Sequence, residues 1–63
     1  MPYIQLKLIE GRDIETKNKL VSNITEAVCD SLNVSKNDVR IELIELKKDL
    51  FSIGGELIAK KNK

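Results

Sequence analysis

Residues 14–32, IETKNKLVSNITEAVCDSL, decide the fold because they predict one long helix in a chain of 63 residues. Asp13 before them is a favourable N-cap residue, and Asn33 after them suits the left-handed position that ends a helix. The apolar side chains recur at helical spacing. They form a stripe of Leu20, Ile24, Ala27, Val28 and Leu32, with Val21 beside it. The opposite side, which either faces solvent or admits a neighbouring subunit, carries Asn18, Ser22, Thr25 and Cys29.

Two alternating runs flank this helix, over residues 3–8, YIQLKL, and residues 39–46, VRIELIEL. Their period of two is typical of half-buried strands. Strands joined by one long helix form a β-α-β unit and are parallel in nearly all cases. Gly54-Gly55 between short apolar runs predicts a hairpin, and residues 60–63 a frayed, solvated tail. The fold class is therefore α+β, a β-α-β subunit with a parallel two-stranded sheet and a C-terminal β-hairpin in a single domain, residues 1–63.

The size of the chain points to self-association. A domain this small buries only about 60% of its unfolded surface and needs a supplement to its core. Cys29 is the only cysteine and there is no histidine, which excludes an internal disulfide and makes a zinc site improbable. Ile44 and Leu46 alternate away from the helix. We expect that face of the sheet to pack on another copy of the chain.

Charge and hydropathy exclude several kinds of partner. The net charge is +1, with Tyr3 and Phe51 as the sole aromatic residues, which is unlike a nucleic-acid-binding protein. No stretch approaches the roughly 20 apolar residues of a membrane span, and no leader pattern opens the chain. A lone thiol suits a reducing cytosol. We expect a cytoplasmic oligomer with no metal and no cofactor, since its carboxylates lack ligand spacing and no phosphate-binding loop is present.

Three kinds of scarce residue could carry chemistry. Arg12 and Arg40 are the only two arginines, whereas the chain has nine lysines. A guanidinium can bind a carboxylate through two parallel hydrogen bonds, which a lysine cannot do. Surface ion pairs explain them equally well, Arg40 pairing with a neighbour's Glu42 or Glu45. Phe51 is either core packing or an apolar wall of a site.

Pro2 is the only proline and begins the first strand, where proline is best tolerated. Packing at a strand start therefore explains it. Removal of Met1 would instead make the Pro2 nitrogen a secondary amine with a pKa of about 8. Partial burial and nearby arginines would lower that pKa toward neutrality, which suits a general base. From residue types alone both interpretations stay open.

Four landmarks together resemble the short 4-oxalocrotonate tautomerase family over essentially the whole chain. They are proline after Met1, LIEGR at residues 8–12, VR at residues 39–40 and F-x-I-G-G-E-L at residues 51–57. The resemblance implies a tautomerase-type fold, assembled as a homohexamer from dimers. It implies cofactor-free interconversion of keto and enol forms of unsaturated 2-oxo acids or dicarboxylates, a chemistry best known from aromatic catabolism.

The resemblance also implies roles for the scarce residues. Pro2, freed of Met1, would be the general base that takes the enol hydroxyl proton and returns it to carbon. Arg40, whose family counterpart serves a neighbouring subunit's site, would stabilise the enolate and the adjacent carboxylate. Arg12 would hold the distal carboxylate, and Phe51 would be the hydrophobic wall.

Two departures limit the resemblance. Residues 60–63 are lysine-rich, where family members often carry arginine. Ile53 stands where dehalogenase relatives place a water-activating glutamate, which argues against hydration chemistry. The alternative function is a non-catalytic oligomeric protein that keeps the fold and an anion-binding arginine pair.

Overall fold

The computed structural model describes residues 1–61. Its elements in chain order are β1 (Tyr3–Ile9), α1 (Ile14–Leu32), a 3-10 turn (Lys36–Asp38), β2 (Arg40–Leu46), β3 (Ser52–Ile53), β4 (Glu56–Leu57) and α2 (Ile58–Lys61). β1 and β2 are parallel neighbours, and β3 and β4 form an antiparallel hairpin. The predicted α+β fold, a β-α-β unit with a C-terminal hairpin, is confirmed.

α1 begins and ends at its predicted caps. The Asp13 carboxylate accepts a hydrogen bond of 2.9 Å from the backbone N–H of Thr16. Hydrogen bonding from the side chain and backbone of Thr16 lowers the pKa of Asp13. At the other end Asn33 adopts φ 58°, and its N–H donates to the Cys29 carbonyl at 2.8 Å. Each end of the helix thereby gains a partner for one of its otherwise unpaired backbone groups.

α1 covers one face of the sheet. The register pairs Leu6 with Leu43, and a salt bridge of 3.0 Å joins Lys17 Nζ on α1 to Glu45 Oε2 on β2. An open apolar cleft of about 250 Å³ lies beside the helix, lined by Ile14, Lys17, Asn18, Val21 and Leu43. The other face, which carries Tyr3, Arg40 and Ile44, is not covered by α1.

The buried side of α1 differs in part from the predicted stripe. Its half-buried positions are Lys17, Leu20, Val21, Ile24, Thr25, Val28 and Cys29. Thr25 and Cys29 were expected on the opposite side, whereas Ala27 and Leu32 are exposed, Leu32 by 57%. From first to last residue, the nineteen residues of α1 span about 27 Å and the seven residues of a strand about 20 Å. The last turn of α1 therefore overhangs the sheet.

The hairpin turns at Gly54 and Gly55, whose φ values of 63° and 87° are those of a type I′ turn. The chain then forms α2, so the predicted fraying of Lys60 and Lys61 is wrong. Hydrogen bonds hold the start of this helical turn, from the N–H of Ile58 to the Phe51 carbonyl at 2.9 Å and from Ala59 to Lys48 at 3.0 Å. Residues 62 and 63 of the predicted tail lie outside the described residues.

A single chain lacks a closed core. Within residues 1–61 no side chain is buried, and Tyr3 and Leu50 are 73% and 76% exposed. The radius of gyration is 14.8 Å and the extents are 43 × 23 × 14 Å, whereas a compact domain of this length has a radius of gyration of about 11 Å. No helix in the described part is long and apolar enough to cross a membrane.

Candidate active site

The parallel register brings Pro2 and Arg40 to the same end of the sheet, here called the amino edge and made of Pro2, Tyr3 and Arg40. The Arg40 N–H donates to the Pro2 carbonyl at 3.0 Å, and the Cα of Tyr3 pairs with that of Arg40. Proline has no N–H to give to a ladder, so it contributes its carbonyl alone. The half-buried Pro2 thus begins the strand and lies directly beside Arg40.

The Arg40 guanidinium keeps most of its donors available. Its side chain projects from the uncovered face of the sheet. There Nη1 donates to the Asn37 carbonyl at 3.3 Å, and Nη2 lies 3.7 Å from Met1 Sδ. In the described part of the chain the sole salt bridge is Lys17 to Glu45, so Arg40 has no carboxylate partner there. Glu42 of the same chain instead accepts a hydrogen bond of 3.2 Å from Gln5 Nε2.

Arg12 and Phe51 lie toward the opposite end of the sheet, here called the carboxyl edge and made of Glu10, Arg12, Lys48 and Phe51. Gly11, at φ 127°, redirects the chain after β1. The Arg12 guanidinium folds back, and its Nη1 donates to the Ile9 carbonyl at 2.9 Å. No carboxylate within residues 1–61 forms a salt bridge with it. Arg12 therefore also keeps donors for an anionic ligand.

Glu10, which sequence reasoning did not select, joins the two segments of the carboxyl edge. Its N–H donates to the Leu46 carbonyl at 3.0 Å, and its Oε2 accepts from the Lys48 N–H at 3.3 Å. Lys48 opens the turn that leads to the half-buried Phe51. The sole sequence signal for this role was a carboxylate at the end of a strand. Its partner could be identified only from the folded chain.

The two edges are too far apart to act together within one chain. The seven residues of β1 separate the Pro2 end from the Ile9 carbonyl that Arg12 contacts, a span of about 20 Å. One chain therefore joins the backbones of Pro2 and Arg40 at one edge and those near Arg12 and Phe51 at the other, through Glu10 and Lys48, but it does not bring all four residues together. A small molecule cannot touch both edges of the same chain.

The amino edge opens onto a concave surface of about 190 Å³. It is lined by Tyr3, Ile4, Gln5, Arg40, Ile41 and Glu42. The described residues contain no cluster of three or more histidine, cysteine or acidic side chains that could hold a metal ion. This surface combines the donors of Tyr3 and Arg40 with the carboxylate of Glu42, to which Gln5 donates, and the Arg40 guanidinium is the group there that can bind a small anion.

Comparison with known proteins gives a consistent result. The family profile described as "Tautomerase enzyme" matches residues 2–61. A 2-hydroxymuconate tautomerase from Pseudomonas putida is 40% identical over 60 residues, which cover 95% of each chain. A solved 4-oxalocrotonate tautomerase isozyme from Methylibium petroleiphilum is 43% identical, with a TM-score of 0.90 over 95% of this chain and 94% of its own. A heterohexameric 4-oxalocrotonate tautomerase from Chloroflexus aurantiacus is 25% identical, with a TM-score of 0.88 over 95% of this chain and 97% of its own.

Proposed function

The chain belongs to the tautomerase family and is an isomerase; we propose that it catalyses a 1,3-proton shift in unsaturated 2-hydroxy acids that resemble 2-hydroxymuconate. The observation that carries this proposal is that Pro2 begins the sheet at the amino edge while Arg40, on the uncovered face, has no carboxylate partner among residues 1–61. The relatives named as 2-hydroxymuconate tautomerases support the choice of substrate class. A non-catalytic anion-binding role gains no support from them.

The base in this proposal is the nitrogen of Pro2 after removal of Met1. While Met1 is attached, that nitrogen is a tertiary amide with neither a proton nor basicity. Once free, the amine sits at a half-buried position, where partial burial and an arginine charge both favour its neutral form. A base poised near the working pH transfers protons most effectively. Met1 removal is therefore a condition of activity.

The proton path needs no co-reactant. The neutral Pro2 amine takes the enol hydroxyl proton, and the electron pair moves through the conjugated system to leave a carbonyl. Protonated Pro2 then delivers the proton to carbon. Arg40 stabilises the developing enolate oxygen and the adjacent carboxylate, as oxyanion donors do. Arg12 holds the distal carboxylate and fixes the orientation, while Phe51 is the hydrophobic wall.

The site in this proposal is shared between subunits. Because about 20 Å separates the two edges of one chain, Arg12 and Phe51 reach Pro2 from a second copy. The Arg40 side chain projects from the uncovered face of the sheet and acts in the site that contains the Pro2 of a neighbour packed on that face. We propose a homohexamer built as a trimer of dimers. The hexameric relative and the lack of a buried core among residues 1–61 support it, and the lone Cys29 suits a cytoplasmic enzyme.

Ketonisation of 2-hydroxymuconate, followed by absorbance, tests the proposal. The protein should first be shown by intact mass spectrometry to lack Met1. We expect the Pro2→Ala variant to be roughly tenfold or more slower than this protein, because its freed terminus is a primary amine whose pKa and position differ from those of the rigid secondary amine of Pro2. Ser22→Ala, an exposed substitution on α1, is the matched control and should keep the full rate. Equal rates for Pro2→Ala and the parent, or no rate above buffer, would refute the proposal.

A further inference from the structure

We propose that Tyr3 is a further substrate-binding residue, whose hydroxyl and the Arg40 guanidinium together hold an anionic oxygen of the substrate. This inference rests on the proposed function, because it concerns the same reaction. Tyr3 is the only tyrosine of the chain, and none of the roles assigned above involves it. The oxygen it would bind belongs to a carboxylate or to the developing enolate.

The register places the two side chains on the same face. Tyr3 and Arg40 are paired Cα partners in the parallel sheet. Both side chains therefore project from the face that α1 does not cover. Both line the concave surface at the amino edge. In whichever subunit's site Arg40 works, Tyr3 therefore accompanies it.

The two donors converge on one point. Tyr3 Oη and Arg40 Nη2 each lie 3.7 Å from Met1 Sδ, so they are separated by no more than twice that distance. A thioether sulfur is a weak acceptor, and here it occupies the position that both donors approach. Removal of Met1 vacates this position. An anionic oxygen, a far stronger acceptor for both groups, fits there in its place.

The carboxylate that β2 places on this face is already partly engaged. Glu42, the acidic residue on the same face, has its Oε1 engaged by Gln5 Nε2 at 3.2 Å. Tyr3 is 73% exposed, and within residues 1–61 its hydroxyl has Met1 Sδ as its hydrogen-bond partner. Processing of Met1 would thus leave the hydroxyl available for a ligand.

The test compares Tyr3→Phe with the parent, both lacking Met1. The substitution removes the hydroxyl and keeps the ring, so circular dichroism and light scattering should match the parent. Two quantities are measured, namely the dissociation constant of muconate by calorimetry and the ketonisation rate of 2-hydroxymuconate. We expect about a tenfold loss in at least one of them, as for a hydrogen bond to a charged group. A higher dissociation constant assigns the bond to a carboxylate. A lower kcat with unchanged muconate binding assigns it to the enolate.

Two further variants make the result specific. Ser22→Ala removes an exposed hydroxyl from α1 and should change neither quantity. In an Arg40→Gln background the Tyr3→Phe effect should shrink, because residues that share a ligand atom are not additive. Tyr3→Phe with both quantities at parental values would overturn the inference while leaving the proposed function intact. Weakened muconate binding in Tyr3→Phe, with no turnover by any protein, would support Tyr3 and refute the proposed function. A parent that neither binds muconate nor turns over 2-hydroxymuconate would refute both.

Discussion

Arg40 shows at the residue scale why the choice of cation matters. Its backbone completes the ladder with Pro2, while its guanidinium is held loosely by the Asn37 carbonyl and Met1 Sδ. A planar fork in this position can take a carboxylate with two parallel hydrogen bonds, and a lysine cannot. The scarcity of arginine in a lysine-rich chain is what singled out this position, and its role in binding stays a prediction.

Substitution of Arg40 by glutamine tests its proposed role. We expect a loss of about 2–4 kcal/mol in transition-state stabilisation, seen as a fall in kcat, because a donor to the developing enolate is removed. Arg40→Lys keeps the charge without the fork and should recover part of the loss. Steady-state kinetics with 2-hydroxymuconate measures both variants. Unchanged turnover in Arg40→Gln would remove this residue from the mechanism.

The sequence allowed Pro2, Arg12, Arg40 and Phe51 to be proposed as site residues, through their scarcity and the resemblance of their motifs. It did not indicate Tyr3 or Glu10. Their contacts depend on strand register and on how the turn after β2 folds back. Neither is readable from local periodicity, because both partners lie more than thirty positions along the chain.

At the element scale, α1 was predicted closely because its signals are local. The Asp13 cap, the helical period and Asn33 each act within one turn of the helix. The side that α1 buries and the helical turn α2 were predicted less well. Neither is determined within one helical turn. Thr25 and Cys29 become half-buried only in the folded chain, and Ile58 and Ala59 donate to Phe51 and Lys48, which lie well outside α2.

The Asp13 cap has a testable pH dependence. Its pKa is lowered in the folded chain by hydrogen bonding from Thr16, so its stabilisation is present above the unfolded pKa, near 3.8, and is lost as pH falls through the lower folded value. Asp13→Ala should lower the Tm at neutral pH, and its Tm should converge with that of the parent in strong acid. Asp13→Asn keeps a cap acceptor and is the control for charge. A Tm difference between Asp13→Ala and the parent that persists unchanged in acid would contradict this account.

At the scale of the whole molecule, the isolated chain is elongated and lacks a closed hydrophobic core in its described part. It has no buried side chain within residues 1–61 and exposes Tyr3, Ile14, Leu50 and Ile53. Its amino and carboxyl edges are about 20 Å apart. Size alone predicted self-association, but the separation of the proposed site residues between two edges could be read only from the register and from the fold of the Arg12 side chain. Assembly therefore both completes the core and, in our proposal, completes the site.

Subunit complementation tests this central claim most directly. Pro2→Ala and Arg12→Gln variants, each weakly active alone, are mixed in equal amounts, unfolded and refolded together, and assayed with 2-hydroxymuconate. If Pro2 and Arg12 of different copies form one site, random pairing restores roughly a quarter of the sites to two intact residues. We therefore expect the refolded mixture to be more active than either variant alone, by the activity of that quarter of the sites. A refolded mixture no more active than the two variants would contradict a site shared between subunits.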